Sequence, residues 1–203
     1  MNARKVLVTA FAPWAEFRVN SSAIAAAPLD GQTLRGAQVK SVVLPVDGPK
    51  ATAAIAQAIG SFAPDAVLAL GMLSNGPAVW RVELIARNRD LARDGSGAET
   101  PIVAAGARIL PTGLPVARIW RKLDEAKMPV EYSENAGGFV CNHVFYRLMQ
   151  ACAEMKAPPI AGFVHLPPPK EPIDDSGFPA NRQDLEDGAW IVVDAVIGSD
   201  RFE

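Results

Sequence analysis

Residues 65–71, DAVLALG, decide the fold of this chain. Apolar residues follow one another between an aspartate and a glycine, without the apolar–polar alternation of a strand that has one face in water. An uninterrupted run of this kind predicts a parallel strand whose two faces are both covered. The stretch therefore favours a layered α/β domain.

Strands and helices alternate on both sides of this stretch. Further strands are predicted at residues 5–11, 37–46, 81–87, 130–133 and 160–166. Helices are predicted at residues 21–29, 49–62, 114–127, 141–155 and 182–197, and Ser21 or Ser22 is expected to cap the first of them. With no internal repeat and no linker, the pattern predicts a single domain over residues 1–203, an α/β/α sandwich with a mostly parallel, twisted central sheet.

The composition excludes several classes of protein. Of 203 residues, 49% are hydrophobic and 21% are charged, which favours a full core over disorder. A net charge of −2 gives no electrostatic reason to expect nucleic acid or an anionic membrane as a partner. No apolar run approaches the ~20 residues that span a bilayer. The N-terminal run KVLVTAF reads as a first strand rather than a signal peptide, so we expect a cytoplasmic protein.

The chain has two cysteines, Cys141 and Cys152, which fall in the same predicted helix. Eleven residues of helix separate them by roughly 16 Å, beyond the reach of a disulfide. The two histidines form no close cluster with them, which argues against a structural zinc site. We therefore expect free thiols and no metal or cofactor.

Cys141 lies in ENAGGFVCNHVFYRLM, residues 134–149, just after a Gly-Gly turn and at the start of a predicted helix. A helix N-terminus carries partial positive charge and unpaired N–H groups, which stabilise a thiolate and a developing oxyanion. This position suits a nucleophile. The alternative is a small buried hydrophobic residue, the usual fate of a free cysteine.

A thiolate nucleophile needs a base and a group that orients the base. His143 stands two residues from Cys141 on the same helix and therefore points to a different face. His165 ends an apolar strand, from which its side chain could reach a cleft or remain a hydrogen-bonded core histidine. Glu83 lies within an apolar strand, where an acid is most often on the solvent face.

The motifs LVTAFAPW…NSS, VELIARN, AGGFVCNHVFYRLM and GFVHLP together resemble the pyroglutamyl peptidase I family of cysteine peptidases. The resemblance runs from residue 5 to about residue 167. It implies a Cys–His–Glu triad of Cys141, His165 and Glu83. It also implies hydrolysis, through a thioester, of the amide bond after an N-terminal pyroglutamyl (5-oxoproline) residue. Partners would be peptides with a blocked N-terminus, and the chain would assemble as a homo-oligomer, a dimer or a tetramer.

The resemblance also implies a set of substrate-binding residues, some in altered loops. The candidates are Phe11, Trp14, Asn20, Met72, Arg93 and Val140. Trp14 replaces a family phenylalanine, Met72 replaces a glutamine, and the family's glycines are missing from AFAPWAE. The same triad acting on another blocked or cyclic N-terminus, or a non-catalytic binding homologue, therefore stays open. A nucleotide-binding protein is disfavoured because no G-x-G-x-x-G or P-loop sequence follows a strand.

Overall fold

The computed structural model describes residues 3–14, 17–73, 77–92, 96–169 and 181–199. The strands within these ranges are β1 (Lys5–Phe11), β2 (Thr33–Leu34), β3 (Ala37–Leu44), β4 (Ala66–Met72), β5 (Trp80–Glu83), β6 (Ile85–Arg87), β7 (Asp90–Leu91), β8 (Glu99–Thr100), β9 (Ile109–Pro111), β10 (Val130–Ser133) and β11 (Ile160–Leu166). The helices are α1 (Ser21–Ala26), which runs into a 3₁₀ turn (Ala27–Leu29), α2 (Gly48–Phe62), α3 (Val116–Glu125), α4 (Val140–Ala153) and α5 (Arg182–Ile197).

A seven-stranded sheet in the order β10-β5-β11-β4-β1-β3-β2 organises the described residues. Its pairs are parallel except for β5 with β11 and β2 with β3. The strand β4, which contains most of the DAVLALG stretch, is buried along its whole length near the middle of the sheet. The predicted α/β fold with a mostly parallel sheet is confirmed.

Helices cover both faces of the sheet, and the sheet separates two apolar cores. Because side chains alternate along a strand, Val6 and Val8 of β1 face one core while Leu7 faces the other. The first core packs the sheet against α1, α3 and α5, and the second packs it against α2 and α4. None of the helices in the described ranges is long and apolar enough to cross a bilayer.

Two local expectations were wrong. The single strand expected at residues 81–87 is two strands, because the chain leaves the main sheet at Leu84. There the N–H of Leu84 donates to the carbonyl of Ser133, and its own carbonyl accepts from Thr112, so that β6 pairs with β9 in a separate sheet. Helix α1 is capped by Asn20, whose side chain accepts from the N–H of Ser22, and not by either serine.

Helix α5 approaches the sheet closely at Gly188. A Cβ at that position would lie 2.1 Å from Cζ2 of Trp80, which is fully buried on β5. We expect Gly188→Ala to destabilise the protein by about 1–3 kcal/mol through overpacking, although alanine is the better helix former. Thermal unfolding measures this as a lowered melting temperature.

The matched control is Gly60→Ala in α2. No atom lies within 4 Å of a Cβ built at Gly60, so the same exchange there should raise stability by up to about 1 kcal/mol. Equal melting temperatures for the two variants would contradict the packing of α5 on Trp80.

Candidate active site

Two glycines with different roles shape the turn that precedes Cys141. Gly137 has a φ of +86°, a backbone conformation that residues with a Cβ rarely adopt. At Gly138 a Cβ would lie 2.3 Å from Cγ of Leu91, so the loop packs directly on β7. Helix α4 then begins with Phe139 as an N-cap that makes no side-chain capping bond. Cys141 therefore lies in the first turn of a helix whose end no side chain caps.

Asn142, the next residue of α4, fixes this helix start to the chain that follows β5. Its side chain is fully buried. Its oxygen accepts from the N–H of Arg87 at 3.0 Å, and its amide donates to the carbonyls of Arg87 and Arg89 at 2.9 and 2.8 Å. One amide thus satisfies three backbone groups that have left the main sheet.

His165 lies at the carboxyl end of β11 and is 4% exposed. Its ring packs on that of Phe163, with the centroids 4.8 Å apart. Nδ1 is 2.8 Å from Oε1 of Glu83, and the ring lines the same cleft as Cys141, which acts on its pKa. Because Glu83 engages Nδ1, Nε2 is the ring nitrogen left for the thiol. The structure therefore brings the Cys141 sulfur, the His165 imidazole and the Glu83 carboxylate together at one site.

Glu83 does not lie on a solvent face, the usual place for an acid in such a strand. It is fully buried because β5 lies inside the sheet, between β10 and β11. Its Oε2 has no hydrogen-bond partner among the described residues. Among the described residues, His165 is therefore the hydrogen-bonding partner of this carboxylate.

Burial by itself lowers the pKa of His165, since it disfavours the charged imidazolium. Hydrogen bonding and electrostatic interaction with Cys141 and Glu83 outweigh burial and raise the pKa to about 9. The imidazole is therefore protonated at neutral pH. A protonated ring beside the thiol is the partner that a thiolate needs.

Gly71 makes room for the sulfur at the end of β4. It stands beside His165 in the register of β4 and β11. A Cβ on Gly71 would lie 2.6 Å from Cζ of Phe163 and 3.1 Å from Sγ of Cys141. Gly71, the last residue of the DAVLALG stretch, has no side chain. Helix α4 can therefore pack close enough to place the Cys141 thiol at the ends of the strands.

A cleft of about 600 Å³ opens over Cys141 and His165. Five substrate-side candidates line it: Phe11, Trp14, Asn20, Met72 and Val140. Glu83 lies behind His165 and outside the lining, and Arg93 lies outside the described residues. Another cavity, of about 650 Å³ at the start of α3, contains none of the triad residues. The residues that line the cleft, and not the volume of the cavity, therefore identify the site.

Other lining residues were missed by sequence reasoning. They are Val46, Leu73, Arg81 and the segment 135–139. The segment belongs to the Gly-Gly turn already singled out, so its approach to the cleft could have been inferred from Cys141. For Arg81 the available signal was its spacing of two from Glu83, which puts both side chains on one face of a strand.

His143 does not belong to the site formed by Cys141, His165 and Glu83, as its position on the helix predicts. Its Nδ1 is 2.6 Å from Oδ2 of Asp90. Its ring also packs over the first residue of α2, where a Cβ on Gly48 would lie 2.8 Å from it. The pair ties α4 to β7. Within the described ranges, no group of three or more His, Cys, Asp and Glu side chains could hold a metal ion.

Comparisons with known proteins relate the chain to one family of peptidases. A family model described as pyroglutamyl peptidase matches residues 4–193. Pyrrolidone-carboxylate peptidase 1 of Ralstonia nicotianae is 38% identical over 167 residues, 80% of this chain and 77% of the relative. Pyrrolidone-carboxylate peptidase of Streptococcus pyogenes is 32% identical over 200 residues, 95% of this chain and 92% of the relative. The crystal structure of pyroglutamyl peptidase I from Bacillus amyloliquefaciens aligns with a TM-score of 0.87 at 28% identity, covering 98% of this chain and 97% of that one.

Replacing Asn142 tests the attachment of α4 without reference to activity. Asn142→Ala leaves the N–H of Arg87 and the carbonyl of Arg89 without their buried partner and removes one of the two donors to the carbonyl of Arg87. We expect a loss of about 2–4 kcal/mol in the free energy of unfolding, measured in denaturant. The control is Gln150→Ala in the same helix, whose side-chain bonds lie at the surface and should cost less than about 0.5 kcal/mol. Similar losses for the two variants would contradict the role of Asn142.

Proposed function

This chain belongs to the pyroglutamyl peptidase family, and we propose that Cys141, His165 and Glu83 are the residues with which it works. It is a cysteine-type exopeptidase, a hydrolase that removes an N-terminal pyroglutamyl residue from peptides. One observation carries the assignment of the triad. The ring of His165, which lines the cleft together with Cys141, is held at 2.8 Å by the fully buried carboxylate of Glu83.

The reaction begins at the sulfur. Paired with protonated His165, the Cys141 thiolate attacks the carbonyl carbon of the pyroglutamyl amide bond. His165 then gives its proton to the departing amine, and a thioester joins the pyroglutamyl group to the sulfur. The neutral imidazole next takes a proton from water, which attacks the thioester. Pyroglutamate leaves, and the thiolate and imidazolium are restored.

The negative charge that develops on the carbonyl oxygen falls at the start of α4. The N-cap residue Phe139 makes no side-chain capping bond, so the first N–H groups of the helix are available to donate to this oxygen. A second donor would come from Arg93, which stays a candidate because it lies outside the described residues. Glu83 holds the imidazole in the required tautomer and compensates its charge, as the orienting acid of a triad does.

The pyroglutamyl ring is a neutral lactam, and it suits the aromatic part of the cleft. Phe11, Trp14, Met72 and Val140 provide apolar walls beside the sulfur. Asn20 acts indirectly, since its amide donates to the carbonyl of Ala12 at 3.2 Å and its oxygen accepts from Ser22. It thereby holds the loop that carries Trp14.

We further propose a cytoplasmic location and assembly into a dimer or tetramer. Both thiols are free, and the mechanism requires a reduced Cys141, which a reducing compartment maintains. The support for assembly is the family resemblance.

Removing the sulfur is the direct test of the nucleophile. Cys141→Ala should lower kcat/KM on a pyroglutamyl coumarin amide by about a thousandfold or more, because no other group can form the thioester. The assay measures release of the fluorophore, alongside a panel of other acyl amides that tests the selectivity for the lactam ring.

The chain offers its own control in Cys152. That thiol is buried in the same helix, and burial raises its pKa to about 11, so that it stays protonated and inert. Cys152→Ala should keep kcat/KM within about threefold of the wild type. Full activity in Cys141→Ala, or equal losses in both variants, would show that Cys141 is not the nucleophile.

A further inference from the structure

The cleft has two chemically different ends, which the strand order defines. Across the sheet, β4 and β1 lie on one side of β11 and β5 lies on the other. His165 of β11 is therefore flanked on one side by Met72 and Phe11 and on the other by Arg81, and all of these residues line the cleft. One end is apolar and aromatic, and the other carries a guanidinium.

The side chain of Arg81 is directed to the same side of the sheet as the triad. Arg81 and Glu83 are two residues apart on β5 and so share a face. In the antiparallel pair of β5 and β11, Arg81 stands directly opposite His165, which also places the two side chains on one face. The side chain is 25% exposed, so the guanidinium is partly desolvated but accessible from the cleft.

Arg81 is the one permanently charged side chain among the described residues that line the cleft, and none of those residues carries a carboxylate. Its Nε pairs with Oε1 of Glu131, which stands opposite it on β10 and is not part of the lining. Glu131 thus orients the guanidinium from β10, the strand at the edge of the sheet. An arginine has five N–H donors, and its two terminal nitrogens remain suited to bind a second carboxylate.

We propose that Arg81 binds a carboxylate on the leaving side of the substrate, one residue beyond the bond that is cut. The inference rests on the proposed function: if the neutral lactam occupies the aromatic end, the departing peptide extends from the sulfur toward β5. The carboxylate belongs either to an acidic second residue or to the free C-terminus of a pyroglutamyl dipeptide. Arg81 is then a specificity residue of this chain rather than a participant in bond breaking.

The test compares kcat/KM for matched substrates. Pyroglutamyl-glutamate amide against pyroglutamyl-glutamine amide isolates an acidic side chain. Pyroglutamyl-alanine as the free acid against its amide isolates a C-terminal carboxylate. We expect the wild type to prefer the charged member of at least one pair by about five- to tenfold, a preference that weakens as salt rises.

Arg81→Gln should bring that ratio close to one. Because both rates come from the same enzyme sample, the ratio does not depend on how much of the variant is folded. The control is Arg121→Gln, which removes the same charge from an exposed position on α3 and should keep the preference. In Glu131→Gln the amide oxygen can still accept from Nε of Arg81, so the guanidinium stays oriented while the competing charge is lost, and the preference should be preserved or increased.

A wild-type ratio near one in both pairs would overturn the inference, as would a preference that survives Arg81→Gln. Hydrolysis of the neutral amides separates this outcome from failure of the proposed function. If the neutral amides are cut and no preference exists, only the role of Arg81 is wrong. If no pyroglutamyl substrate is cut at all, the proposed function falls and this inference falls with it.

Discussion

The 2.8 Å contact between Glu83 and His165 is the interaction on which the rest of the site depends. A carboxylate without exposed surface costs several kcal/mol unless a cation compensates it. His165 is that cation, and it exists as one because Glu83 and Cys141 together overcome the effect of burial on its pKa. The carboxylate and the imidazolium therefore stabilise each other's charge in the interior. The same pairing presents a proton to the sulfur.

The fold supplies this contact through one departure from a regular parallel sheet. β5 runs antiparallel to β11 and is inserted between it and β10, which sets Glu83 beside His165. Just beyond Glu83 the chain leaves the sheet at Leu84, and Asn142 binds the following segment to α4. The residue before Asn142 is Cys141, so the attachment that satisfies the departing backbone also places the nucleophile.

The sequence was most informative where local physics determines the structure. The unbroken apolar run of DAVLALG predicts a covered parallel strand because burial on both faces leaves no other pattern. The break at Leu84 was not predictable in this way, because VELIA reads as one continuous strand and only the contacts with Ser133 and Thr112 end it. The position of Glu83 in the sequence is weak evidence for a catalytic role, and its role as the orienting carboxylate was inferred from the family motif. The spacing of Arg81 from Glu83 indicates a shared face, but its position opposite His165 depends on the order of the strands in the sheet, which the sequence does not show.

The protonation state of His165 is the most direct test of its pairing with Glu83 and Cys141. With only two histidines in the chain, a His143→Gln variant assigns the signals, and ¹⁵N NMR of the imidazoles can follow His165 through a pH titration. We expect His165 to be protonated at neutral pH and to titrate near pH 9, and Glu83→Gln to lower this midpoint. A His165 that titrates near its ordinary value of about 6.5, with or without Glu83, would contradict this expectation.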